Sequence, residues 1–76
     1  MDRKQTIIGP LELFVIYDHP KDFPGHFVVR RWLGDRPTAD FAIADTIEGA
    51  RAEVPMGLHR MPRQPGEDAV IVETWI

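Results

Sequence analysis

The sequence contains no cysteine, no serine and no asparagine. Without cysteine, neither a disulfide nor a thiolate metal site can stiffen the fold. Without serine and cysteine, the two commonest side-chain nucleophiles are missing, so covalent catalysis would fall to Thr, Asp, Glu or His. No apolar run approaches the roughly 20 residues that span a bilayer. The first eight residues, from Met1 to Ile8, lack the apolar core of a secretory signal. The expectation is a soluble, cytoplasmic protein. Glycine-rich phosphate loops, H-E-x-x-H and G-x-S-x-G are also absent. A non-enzymatic protein with no cofactor and no metal is the reading that follows.

What is present is one small domain over residues 1–76, with residues 1–6 expected to be frayed. A chain of this size buries only roughly 60% of its unfolded surface, so its margin of stability is small. The formal net charge of −3 argues against a general polyanion binder. Seven of the nine basic residues are arginine, the side chain with a planar fork suited to carboxylate or phosphate.

The strongest pattern is Leu11-Glu12-Leu13-Phe14-Val15-Ile16-Tyr17. Its β-branched and aromatic content suits a strand, with Leu11, Leu13, Val15 and Tyr17 on one face and Phe14 and Ile16 on the other. Apolar side chains on both faces place it centrally in a sheet. The stretch from Asp18 to Gly25, with two prolines and a glycine, reads as a loop. Residues 26–33 form a second strand. Val28, Arg30 and Trp32 point one way, and Phe27, Val29, Arg31 and Leu33 the other. Gly34-Asp35-Arg36-Pro37 is a turn, and residues 40–44 are a short third strand or an extended connector.

Asp45 with Glu48 has capping-box spacing, and Thr46 competes as the cap. Ile47, Ala50 and Val54 make the apolar stripe of a short helix that Pro55 ends, with Glu48 and Arg51 paired outside. Residues 55–68, with three prolines, form a connection pinned by Leu58 and Met61, and residues 69–76 the last strand. The expected architecture is α+β. A mainly antiparallel sheet of three strands, four if 40–44 is one, carries one short helix on one face. The order is β-β-(β)-α-β, with the strands lying second, first, last.

One short helix covers one face. The other is expected to show Val28, Arg30 and Trp32 beside Ile71, Glu73 and Trp75, with Arg30 and Glu73 as a cross-strand pair. Two tryptophans among aliphatics and charges have the composition of an interface centre. The alternative is a second small core under the 55–68 segment. These six residues form the candidate partner-binding site, for a protein or a second copy. Arg30, Arg31, Arg60 and Arg63 form the alternative, a nucleic-acid or phosphate site. Nucleic acid is opposed by the charge and by the lack of a recognition-helix pattern. Asp18, His19, Asp22 and His26 are metal-ligand types at a spacing that matches no metal signature.

The segments Tyr17–Trp32 and Val70–Ile76, with Ala44–Arg51 and Gly57–Arg63, resemble a family of small bacterial proteins of unknown function. Gly49 departs from that pattern, which has Glu in the helix. The resemblance implies a single-domain cytoplasmic bacterial protein and supplies no activity, ligand or catalytic residue.

Overall fold

The computed structural model describes residues 11–76. The expected fraying of 1–6 and the Gly9-Pro10 punctuation lie outside them. Five strands and one helix follow in the order β1 (Glu12–Asp18), β2 (Phe27–Leu33), β3 (Arg36–Ala44), α1 (Ile47–Ala52), β4 (Arg60–Pro62) and β5 (Ile71–Trp75). They build one antiparallel sheet in the order β3-β2-β1-β5-β4. The expected order of second, first and last strands stands at its centre. The strand count is corrected from three or four to five.

Both additions have local causes. Gly34, with φ 61°, occupies the first central position of a two-residue turn between Leu33 and Arg36. A positive φ there matches the right-handed twist of the flanking strands, so the chain folds straight back as a hairpin. Residues 36–44 are therefore a full strand of nine residues rather than a connector. Three residues of the proline-rich connection, Arg60-Met61-Pro62, pair with Glu73–Trp75 and form a short outer strand.

The helix is shorter than its apolar stripe suggested. Thr46 is its cap, and the Oγ1 accepts from the Gly49 N–H at 3.0 Å. Asp45 instead bonds the His26 ring. Helix α1 lies over β2 and β3. Ile16, Val29 and Ala50 form the buried centre, and Phe14, Phe27, Ala44, Ile47, Val54, Val72 and Trp75 pack around it. Six helical residues do not persist alone in water, so this burial holds the helix as much as the helix covers the sheet.

Register decides what each face carries. Tyr17 pairs with Ile71, and Ile16 pairs with Glu73, so Val72 is one residue too many on β5. A bulge of this kind sets two consecutive side chains against one partner residue. Val72 and Glu73 therefore both share Ile16's face, beneath the helix. Thr74 then falls opposite Val15, and Trp75 opposite Phe14.

Candidate functional site

The bulge divides the predicted six-residue site. Val28, Arg30, Trp32 and Ile71 do share the helix-free face. Glu73 and Trp75 do not: they belong to the helix side, where Trp75 packs on the core. The expected Arg30–Glu73 pair is corrected for the same reason, and because β1 lies between their strands.

Glu73 is 1% exposed and fully engaged. The Arg51 guanidinium donates two bonds to it, Nε to Oε2 and Nη2 to Oε1, each 2.9 Å. The Trp75 indole N–H donates to Oε2 at 2.8 Å, and Arg60 stands 3.7 Å from Oε1. The Arg51 fork holds the carboxyl below its ordinary value of 4.5, ahead of the opposing effect of burial, and the carboxylate in turn holds Arg51 charged. Arg51 thus reaches across to β5 instead of pairing with Glu48 as expected. This cluster ties helix to sheet and leaves its carboxylate no free oxygen to offer a ligand.

The helix-free face is built differently. Trp32 and Leu13 lie opposite each other, as do Arg30 and Val15, and Val28 and Tyr17. From β3 come Ile43 beside Val28 and Phe41 beside Arg30. From β5 and β4 come Thr74 and Met61. Val15 and Val28 are buried in its floor, while Phe41 and Ile43 are 45% and 44% exposed. The Trp32 indole N–H donates to the Tyr17 hydroxyl at 3.0 Å. Partial burial pushes the Tyr17 phenol above its usual 10.0, against the lowering bond from Trp32. The Arg30 guanidinium lies 4.8 Å from the Phe41 ring centre and donates to the Thr38 carbonyl at 2.7 Å. Among the described residues no carboxylate forms an ion pair with it.

The structure does not bring the four arginines of the phosphate reading together. Arg31 is on the helix side, bonded to Glu12 at 2.6 Å and Asp40 at 3.1 Å, with Glu12 the main reason its charge is held. Arg60 sits near Glu73, and Arg63 is exposed in the turn beyond β4. Within the Asp18–His26 loop, His19 bonds its neighbour Asp18, and His26 bonds Asp45 at 3.1 Å. Among the described residues no three metal-ligating side chains converge. No described helix is long and apolar enough to cross a membrane.

Sequence reasoning missed Tyr17, Phe41 and Met61 as part of this face. Tyr17 was legible from β1's own alternation. Phe41 and Met61 depended on two strands that the sequence did not clearly announce. No family model, no curated protein and no solved structure matches this chain.

Proposed function

We propose that this chain is a non-enzymatic protein-interaction module whose contact surface is the helix-free face around Tyr17, Arg30, Trp32 and Phe41. The observation that carries the reading is the contrast between faces. On the helix side, Phe14, Phe27 and Trp75 pack on the core under α1, Arg51 takes up Glu73, and Arg31 is bonded to Glu12 and Asp40. On the other side, a Trp–Tyr pair, an arginine stacked on phenylalanine and an exposed isoleucine sit over a buried valine floor. Aromatic residues and arginine around a desolvated centre are what binding hot spots are made of.

Phe41→Asp with Ile43→Asp alters two exposed side chains on an outer strand and should leave the fold standing. In an extract of the native host, the tagged wild-type chain is expected to sediment well above its own 8.7 kDa, and the double variant to return to the single-chain value. A wild-type chain that sediments alone, or a double variant that sediments with the wild type, overturns the proposal.

A further inference from the structure

The helix-free face is not flat. Three hollows of about 240, 300 and 250 Å³ cross it from β3 towards β4. The first and second share Tyr17 and Trp32 as their dividing wall, and the second and third share Leu13, Glu67 and Thr74. They lie in a row transverse to the strands, a track of three hollows whose neighbours share side chains. Pro20 and Pro37 wall its first hollow. Four inter-strand spacings of about 4.8 Å give a track of roughly 19 Å.

The charges along the track are uneven. Asp22 lines the first hollow, Asp35 the second, and Glu67 the second and third. Among the described residues Arg30 is the one basic residue on it, and that side chain is already committed to the Thr38 carbonyl and the Phe41 ring. A valine floor with aromatic and proline walls and an acidic margin complements a ligand that is apolar and basic, and repels phosphate or acidic peptide.

The edges of the sheet limit how such a ligand can bind. Strand addition needs a regular free edge. On β3 that edge carries Pro37, and Thr38–Asp40 bulge out opposite Arg31 alone. On β4 it is three residues long and ends in Pro62. Only residues 41–44 keep a regular register on β3, so both edges offer just a few residues for strand pairing. A peptide must therefore lie across the face and meet side chains only. A polyproline II segment is suited to this, because it is preformed, has no internal hydrogen bonds and rises about 3.1 Å per residue. About six residues fill the track. The Tyr17 hydroxyl accepts from Trp32 and keeps its own proton to donate to a peptide carbonyl.

We infer that the track over Tyr17 and Trp32 binds a proline-rich, arginine- or lysine-bearing segment of a partner protein in the polyproline II conformation. This rests on the interaction-face reading and names its ligand. The prolines sit in the three hollows, and the basic side chains meet Asp22, Asp35 and Glu67.

The two tryptophans provide an internal control, because their indole N–H groups lie on opposite faces. The experiment titrates the ¹⁵N-labelled chain with the capped peptide RPLPPLPRPR, with EPLPPLPEPE, and with RGSGGSGRGR. The first is expected to shift the Trp32 indole signal saturably while the Trp75 signal stays in place. The second and third are expected to leave both unchanged. Asp22→Lys with Glu67→Lys, two exposed residues, is expected to weaken the first peptide by about tenfold or more, the scale of lost charge pairing. Equal binding of the glutamate peptide, equal binding of the glycine–serine peptide, or no shift with any of them overturns the ligand assignment. If that happens while Phe41→Asp with Ile43→Asp still releases the native complex, the face reading stands and only its ligand is wrong.

Discussion

Ile16→Ala is expected to cost about 3–4 kcal/mol, within the range for truncating a fully buried isoleucine. Ile16 is 0% exposed and sits at the meeting point of β1, β2 and the helix, against Val29 and Ala50. The cavity would open under a helix of only six residues, whose retention depends on that contact. A domain of this length has about 4–11 kcal/mol in total at the usual 0.05–0.15 kcal/mol per residue. The variant should therefore unfold at a far lower urea concentration, with loss of helical circular dichroism in the same transition. Ile16→Val, which removes one methyl group, should cost about 0.5–1.5 kcal/mol and keep the slope of the transition. A loss below about 1 kcal/mol for Ile16→Ala would mean that the helix is not seated on this residue.

Arg51→Ala is expected to cost about 2–3 kcal/mol near neutral pH. Breaking a buried ion pair by removing one partner costs about 3–5 kcal/mol. The lower figure applies because Arg51 is 41% exposed to screening solvent and Arg60 remains 3.7 Å from the orphaned carboxylate. The direction of the Glu73 shift fixes the pH dependence. Its folded pKa lies below the ordinary 4.5, so its stabilising contribution is complete above that value. The contribution is lost as the pH falls through the folded pKa. The gap between wild type and Arg51→Ala should therefore be widest near neutrality and narrow below about pH 4, measured as the difference in urea midpoints. Glu73→Gln should flatten the same acid limb while leaving an acceptor for the Trp75 indole. A gap that stays constant down to about pH 3 would show that the pair contributes nothing through its charge.

The parts of this fold legible in the sequence were those encoded by local pattern. Alternation in residues 11–17 separated Ile16 from Val15, and in residues 26–33 separated Val29 from Val28 and Trp32; the register then sets Ile16 and Val29 on the same face. The stripe of Ile47, Ala50 and Val54 placed the helix on the sheet. Two non-local features escaped. The Arg60-Met61-Pro62 strand has neither alternation nor β-branching; it exists because β5 offers it an unpaired edge. The extra residue at Val72 leaves no compositional mark, yet it carries Glu73 and Trp75 to the other side of the sheet. A strict period-two reading therefore grouped Trp75 with Trp32, and Glu73 with Arg30. Had Val72 been recognised as an inserted residue, Arg51 rather than Arg30 would have been the natural partner for Glu73.

What remains on the open face after that exchange is more coherent than the predicted set. The predicted set would have engaged Arg30 with Glu73, whereas Tyr17, Phe41 and Met61 add aromatic and apolar surface. The face keeps its arginine and one tryptophan, and its floor is sealed by Val15 and Val28. The proposed reading thus puts binding and fold maintenance on opposite sides of one sheet.

The most direct test of that division is site-specific photo-crosslinking in the native host, with p-benzoylphenylalanine placed at position 41 on the open face or position 48 on the helix. The account predicts discrete adducts from position 41 and none from position 48. Adducts from position 48 with none from position 41 would contradict it.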